Sequence, residues 1–485
     1  MKILRSENIK KADKESIQKR GFTSFEMMQE AMLSLLPVML NYLQPQQAIF
    51  TLCGRGNNGG DGLVLSYFLR NLGFEVFVFI LEDSGSSSVE FELAKKMFEA
   101  RWPQHVSNLD TQKNLQFPAQ GVIVDALFGS GLNRSLQGSV KSLVQKINAS
   151  GLPIFSIDVP SGTPADFPED PGLFASIMAQ LTFCLQMPKE TLFFRETGLA
   201  YGRVEIIDIG IEKACIDACD DKQYASTESE VMALVQKSNR YETKHNRGHA
   251  CLAGGIYGTT GAVCIAAQAA LEQGPGLVTV ISDKEGLGVV RNNLPKVLTS
   301  AADEQGALSS LFTAFNSVGI GMGLGRGEMS KSLLHNLLHW YKGPMVLDAD
   351  AINILAENKT WLEFLPTDTI LTPHEKEFER LTGCKGNRKE KVREASQWSM
   401  RYNVIIILKG AFTCISFPDG SIVYNMSGNP GLAQGGSGDM LTGYIAGILA
   451  RGYSPGKASI LGVYLHGAGV TLKDLEDKNQ YAIYY

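Results

Sequence analysis

"AIFTLCGRGNNGGDGLVLSYFLRNLGFEVFVFIL", residues 48–81, is the stretch whose reading decides the fold. It opens on AIFTLC (48–53), an apolar run of the length of a buried strand. GRGNNGGDG (54–62) follows, with glycine at five of its nine positions. LVLSYFLRNLG (63–73) has apolar residues at helical spacing and a closing glycine, and FEVFVFIL (74–81) reads as a second buried strand. Strand, glycine loop, helix and strand together predict a βαβ unit. Glycines at such a turn either make a bend that other residues cannot, or let bare backbone approach a ligand. GRGNNG also fits G-x-G-x-x-G with acids roughly 20–25 positions on, which alone is a weak dinucleotide fingerprint. Asn57, Asn58 and Asp61 add amides and a carboxylate that a plain pyrophosphate turn does not need, and an Asn oxygen can ligate a hard cation.

The same design recurs outward. GVIVDALFGSG (121–131) and LPIFSIDVPSG (152–162) each run from an apolar strand into a polar loop, and two helical stretches, 7–19 and 24–43, precede the first strand. This alternation predicts a parallel sheet with helices on both faces. Residues 210–230 are polar, carry acidic pairs and lack a long apolar run, which places a domain break between 1–215 and 225–485. A second α/β series follows, with strands expected near 249–254, 277–282, 317–321, 345–348, 369–371 and 404–408. Polar and glycine-rich segments fall after the strands in both halves, where open α/β sheets bind ligands.

Composition bounds the function. A chain of 485 residues suggests two or three domains. Hydrophobic content of 44% and charged content of 20% are ordinary for a soluble globular protein. Net charge is −5 and no basic run occurs, which argues against nucleic acid as a partner. The charged start, MKILRSENIKKADKES, is unlike a signal peptide, and no apolar stretch is long enough to span a membrane. The eight cysteines form no CxxC pair and are expected to be reduced core thiols of a cytoplasmic protein.

Two constellations carry chemistry. Asp125 and Asp158 end strands, and VPSG follows the second. Either Asp alone could simply cap a helix. With Asn58 and Ser161 they offer carboxylate, amide and hydroxyl oxygens, suited to a cation plus one acid/base carboxylate. The set holds no histidine, which argues against a transition metal. The second constellation is GNPGLAQGGSGDMLTGYIAGILARG (428–452), where a glycine turn leads into Asp439 at the start of an apolar helix. Free N–H groups there form an anion site, and a carboxylate beside it suggests a base. Capping by Asp439 would leave Gly435, Gly436 and Gly438 without a purpose. LKGAFT (408–413) offers Lys409 to a phosphate or Gly410 to a hairpin. LTPHEKEFERL (371–381) and LDADAINIL (347–355) put polar groups at helix starts, and no P-loop occurs. His335 and His339 in HNLLH lack the glutamate of a zinc helix and read as helix surface; His466 reads as a packing residue.

At this point the chain resembles the bifunctional NAD(P)H-hydrate repair enzymes, a hydrate epimerase fused to an ADP-dependent hydrate dehydratase. GRGNNGGDG, VDALFGSGL and SIDVPSG look like the epimerase motifs; LDADAINIL, LTPH, LKG and GNPGLAQGGSGDMLTG look like those of the dehydratase. The resemblance implies an α/β fold of two domains, an N-terminal Rossmann-like three-layer α/β/α domain and a C-terminal ribokinase-like domain. It implies that Asn57, Asn58, Gly59, Gly60 and Asp61 contact hydrated NADH or NADPH, with Gly129, Ser130, Gly131 and Leu132, then Asn133, Arg134 and Ser135, lining the substrate. Asn58, Asp125 and Ser161 would hold a potassium ion. Asp158 would bind the hydrated ring and act as acid or base, and Lys189, in LQMPKE where the family usually has KPG, matches a family lysine and would be catalytic. In the dehydratase half Asp439 would deprotonate the hydrate hydroxyl. Lys409, Gly410, Ala411, Phe412 and Thr413 would hold ADP, with magnesium, together with Gly435, Gly436 and Gly438. Ala262, Gly323 and His374 would hold the hydrate. A homo-oligomer is implied as well. The family's TPHPGE and GPGLG stand here as TPHEKE and GMGLG, and a family HKG segment is replaced around TKHNRG. The chain stops at NQYAIYY, short of the family's usual last helix. The readings that compete are a ribokinase-like small-molecule kinase, a non-catalytic nucleotide-binding protein, and an NAD-dependent oxidoreductase built on GRGNNG.

Overall fold

The computed structural model describes all residues except 83–85, 110–116, 119, 133–134, 169–173, 237–240, 304–310 and 482–485, and no side chain beyond 476. The chain divides into two compact units: residues 2–221, and residues 222–485 with Met1.

The first unit is built on a sheet of seven strands: β1 (Ile49–Cys53), β2 (Val76–Ile80), β3 (Val106–Asn108), β4 (Val122–Ala126), β5 (Ile154–Ile157), β6 (Leu181–Leu185) and β7 (Arg203–Ile207). Their order across the sheet is β3-β2-β1-β4-β5-β6-β7, and every pairing is parallel. Side chains alternate between the two faces of a strand, so one strand feeds two cores. Ile49 and Cys53 pack with Met32, Leu35, Leu63 and Phe91 on one face; Phe50 and Leu52 pack with Leu143 and Ile147 on the other. Helices thus cover both faces, as the alternation of the sequence predicts. The helical stretches ahead of β1 are Ser6–Arg20 and Ser24–Leu40, the second started by a capping box between Thr23 and Glu26.

The glycine loop departs from expectation. The helix after β1 begins at Asn57, not near Leu63, and runs to Asn71. NNGGDG is therefore its first turns, and only residues 54–56 remain as a link. None of the five glycines has a positive φ, so no bend at these positions requires glycine. Close approach requires it: a Cβ on Gly54 would stand 1.9 Å from the Leu127 carbonyl oxygen, and one on Gly59 1.8 Å from the Gly54 carbonyl oxygen. A Cβ on Gly62 would meet Ala126 at 2.6 Å. The helix presses against the ends of β1 and β4, and that packing outweighs the poor helix propensity of glycine.

In the second unit the strands are β8 (Gln223–Ser226), β9 (His249–Ala253), β10 (Leu277–Ser282), β11 (Leu298–Ala301), β12 (Ser317–Ile320), β13 (Met345–Leu347), β14 (Ile370–Leu371), β15 (Ile405–Leu408), β16 (Cys414–Ser416) and β17 (Ile422–Asn425). They neighbour one another in the order β8-β17-β16-β15-β14-β13-β12-β9-β10-β11. Pairing is parallel from β15 to β11, antiparallel at β15–β16 and β16–β17, and parallel again at β17–β8. β8 lies inside the polar stretch read as a break. Its ladder with β17 satisfies the backbone, so the strand needs no apolar run of its own. Helices Lys213–Asp217 and Glu228–Leu234 flank it, and another helix, Leu472–Tyr481, forms ahead of the chain end. At the centre, helix Ser437–Ala450 packs on helix Thr260–Glu272. A Cβ on Gly443 would stand 2.1 Å from the Ala266 carbonyl oxygen, and one on Gly447 2.7 Å from that of Ala270.

Candidate active sites

The order of strands in the first sheet reverses between β1 and β4, and a cavity of about 540 Å³ opens there beyond the carboxyl ends of the strands. Asn57, Asn58 and Asp61 line it from the helix start, Gly129, Ser130, Gly131 and Leu132 from the loop after β4, and Asp158 and Lys189 from the loops after β5 and β6. Gly59 and Gly60 are buried in packing contacts with Gly54 and Met28 and do not line the cavity. Ser135 is exposed and also lies outside the lining. Asn133 and Arg134 fall outside the described residues.

Asp158 and Lys189 are tied together. The Lys189 ammonium, 2% exposed, stands 2.9 Å from Asp158 Oδ1 and donates to the carbonyl oxygens of Leu185 and Met187 at 2.9 and 3.1 Å. Asp158 Oδ2 accepts from the Ser130 N–H at 3.3 Å. Asp158 also holds a left-handed backbone, φ +66°, a conformation that costs on the order of 1–3 kcal/mol and clusters at functional sites. Asp61 has no hydrogen bond or ion pair among the described residues. Burial, then the charges of Asp158 and Asp13, hold its carboxyl well above the usual carboxylate range.

Asp125 ends β4, fully buried. Its oxygens accept from the N–H groups of Leu127 at 3.3 Å and Ser161 at 2.8 Å, and from the Ser156 hydroxyl at 2.8 Å. Burial raises its pKa against these hydrogen bonds, and no basic side chain among the described residues pairs with it. The Ser161 hydroxyl exchanges hydrogen bonds with the Phe128 backbone, accepting at 2.8 Å and donating at 3.1 Å. Among the described residues the buried Asn58 amide has no partner for either its nitrogen or its oxygen. An orphaned amide and an uncompensated buried carboxylate suit a monovalent cation bound through oxygen.

In the second unit Asp439 lies in the first turn of helix Ser437–Ala450, behind the left-handed Gly436 (φ +88°). Burial, then the charge of Asp348, pushes the Asp439 carboxyl up to about 6, although Lys409 acts in the opposite direction. Lys409 Nζ stands 2.8 Å from Asp348 Oδ1, and the Thr442 hydroxyl donates to Asp348 Oδ2 at 3.0 Å. Burial acts to lower the Lys409 pKa, and the carboxylates of Asp348, Glu377 and Asp439 outweigh it. A Cβ on Gly438 would stand 3.2 Å from Lys409 Nζ, so the glycine lets the lysine reach the helix start. Gly435 is exposed with open space around it.

His374 caps helix Glu375–Thr382, its Nδ1 accepting from the N–H groups of Lys376 and Glu377 at 3.0 and 3.2 Å. Its chain meets the loop after β15 where the Lys409 N–H donates to the Pro373 carbonyl oxygen at 3.0 Å. Gly410, Ala411, Phe412 and Thr413 form the turn after β15, closed by the Thr413 hydroxyl on the Gly410 carbonyl oxygen. Ala262 lies in the first turn of helix Thr260–Glu272, and left-handed Gly323 abuts Thr259 just ahead of it.

Three residues of this site were not legible as such. Asp348 was one of two acids at a helix start, and nothing local distinguishes it. Arg388 is nearly buried and spans the loop after β15, donating to the carbonyl oxygens of Leu408 (2.9 Å), Lys409 (3.0 Å) and Phe412 (3.4 Å), with Glu375 at 3.3 Å. Glu375, in the TPHEKE segment, thus anchors this arginine. His466, read as a packing residue, places Nε2 3.1 Å from the Ser437 hydroxyl at the helix start, and burial lowers its pKa toward the neutral form. His335 packs on the Trp361 ring at 5.2 Å.

Residues 250–482 match the family model described as NAD(P)H-hydrate dehydratase, and residues 24–191 match the one described as YjeF-related protein N-terminus. The bifunctional NAD(P)H-hydrate repair enzyme of Moorella thermoacetica is 33% identical over 92% of this chain and 87% of its own length. That of Coxiella burnetii is 34% identical over 92% and 90%. A solved ADP/ATP-dependent NAD(P)H-hydrate dehydratase from Bacillus subtilis is 32% identical, covering 50% of this chain and 86% of its own, with a TM-score of 0.44.

Proposed function

The chain belongs to the family of bifunctional NAD(P)H-hydrate repair enzymes, and from this premise we propose how its two units divide the work. The first unit interconverts the R and S epimers of hydrated NADH and NADPH. The second dehydrates the S hydrate to the dihydronicotinamide, with ADP as co-substrate. The observation that carries this reading is Asp439. Its carboxyl, pushed up to about 6, stands at a helix start beside Lys409. A base of that pKa is ionised at neutral pH and accepts a hydroxyl proton readily.

In the second unit Asp439 takes the proton of the hydrate hydroxyl, whose oxygen attacks the terminal phosphate of ADP. AMP leaves. The lone pair of the ring nitrogen then expels phosphate to form a C=N⁺ bond, and the adjacent ring carbon gives up a proton to the departing phosphate, its C–H pair becoming the ring C=C bond as the C=N π pair returns to nitrogen, which restores the dihydronicotinamide. Lys409 and the N–H groups of Gly435, Gly436 and Gly438 face the phosphates, and charge developing on the transferred group is stabilised by dipoles already in place. Asp348 keeps Lys409 aimed. Asp348 is itself committed to Lys409 and Thr442, which leaves one free carboxylate at this helix start. Magnesium would therefore ride on the ADP phosphates rather than in a protein cage. His374, Ala262 and Gly323 would seat the hydrate.

In the first unit Asn57 and Asn58 present helix-start N–H groups to the pyrophosphate, and the loop carrying Gly129, Ser130, Gly131 and Leu132 borders the substrate. Asp158, paired with Lys189 at 2.9 Å, is the base that serves the carbinol centre. Asn58, Asp125 and Ser161 would hold a potassium ion, whose charge offsets the buried carboxylate and fixes the loop that carries Asp158.

The test uses the purified chain, a mixture of both hydrate epimers, and ADP or ATP in potassium buffer, followed by dihydronicotinamide absorbance. Full conversion supports both activities. Arrest near half leaves the dehydratase and rejects the epimerase. No recovery, with a stable phosphorylated product, favours a small-molecule kinase.

A further inference from the structure

The first cavity holds more acid than a single base needs. Asp13, Asp61 and Asp158 all line it, from helix Ser6–Arg20, helix Asn57–Asn71 and the loop after β5. Asp158 is committed through both oxygens, to Lys189 and to the Ser130 N–H. The Asp61 carboxyl is committed to nothing among the described residues. It faces the carboxylates of Asp158 and Asp13 and the buried thiol of Cys53 at the end of β1. Lys10, Arg55 and Glu90 also stand on the cavity wall, and none pairs with Asp61. The Lys189 ammonium has spent its three hydrogens on Asp158, Leu185 and Met187. A carboxyl in this position, without a counterion and facing two like charges, keeps its proton.

We propose that Asp61 is a second catalytic residue of this site, the acid that works with Asp158 as base to interconvert the epimers. The proposal rests on the epimerase reading above. Asp61 gives its proton to the ring hydroxyl. The C–O bond breaks with its electron pair and leaves as water, while the lone pair of the ring nitrogen forms a C=N⁺ bond. Water adds to the other face of that carbon, the C=N π pair returns to nitrogen, and the proton shed by the added water goes to Asp158. Asp61 ends ionised and Asp158 protonated, so charge balances, and proton exchange with solvent resets the pair. A carboxyl that keeps its proton, across the cavity from a carboxylate paired with a lysine, is the arrangement such a step needs.

The experiment starts from one purified epimer without ADP and follows formation of the other by chromatography, as a function of pH and in ¹⁸O-labelled water. The unaltered protein is expected to take up one ¹⁸O per turnover and to lose kcat at high pH as Asp61 ionises. Asp61→Asn is expected to lower kcat by about 10²-fold or more with KM within about threefold, and Asp61→Glu to restore part of it. Dehydration of the S epimer by the same variant reports that the chain is folded. Asp61→Asn with kcat near that of the unaltered protein overturns the proposal. So does loss expressed in KM with the high-pH limb unchanged, or product free of ¹⁸O. An unaltered protein that fails to epimerise overturns the epimerase reading and this proposal with it.

Discussion

Lys189 Nζ and Asp158 Oδ1 lie 2.9 Å apart with both side chains nearly excluded from water. Removing one partner leaves the other charge buried alone, at a cost of about 3–5 kcal/mol. Lys189→Met should therefore lower the thermal unfolding temperature of the first unit and abolish epimerisation while dehydration persists. The double variant Lys189→Met, Asp158→Asn should recover stability without activity. An unfolding temperature unchanged by Lys189→Met would contradict the buried pair.

Asp439 sets a pH limit on the second unit. A base with its pKa pushed up to about 6 is lost as pH falls through that value. Dehydration should decline about tenfold per unit below it. Asp439→Asn should lower kcat by roughly 10²–10⁴-fold and leave epimerisation untouched. Rates measured across pH 4.5–8 for each half-reaction check both.

Arg388 holds the loop proposed to bind ADP through three carbonyl oxygens. Charge-assisted hydrogen bonds of this kind contribute about 1.5–3 kcal/mol each. Arg388→Met should raise the KM for ADP roughly tenfold, the equivalent of about 1.4 kcal/mol, with a smaller change in kcat. A fall in kcat at constant KM would instead place the arginine in the chemical step.

The glycines of 54–62 should differ sharply from one another. Gly59→Ala puts a methyl 1.8 Å from a backbone oxygen and should destabilise the first unit by about 3 kcal/mol or more. Gly56→Ala, with nothing within 4 Å and no positive φ, should stay within about 0.5 kcal/mol. Chemical denaturation of the two variants decides this.

Potassium should raise the unfolding temperature of the first unit relative to tetramethylammonium at equal ionic strength. Asp125→Asn should remove that difference, because the buried carboxylate is what the ion offsets. A thermal shift reads this without any turnover.

Much was legible beforehand. Apolar runs ending in polar loops marked the strands and, through the rule that open α/β sheets bind at strand ends, the positions of Asp158 and Asp439. The helix start at Asn57 was not legible, since glycine speaks against a helix wherever local propensity alone is weighed. The strand Gln223–Ser226 hid for a similar reason: its backbone ladder with Ile422–Asn425 replaces the apolar pattern.

The linear order of residues determined the alternation of strands and helices, the two-part organisation and the chemical type of each loop, because periodicity and glycine placement are local properties. Only the tertiary structure decided which groups meet. It buried Lys189 against Asp158 and Lys409 against Asp348, laid Arg388 across the loop after β15, and left Asp61 without a partner among the described residues. Charge pairing in a low-dielectric interior depends on distances of a few ångströms between segments far apart in the chain, and those distances are set by how the sheets and helices pack.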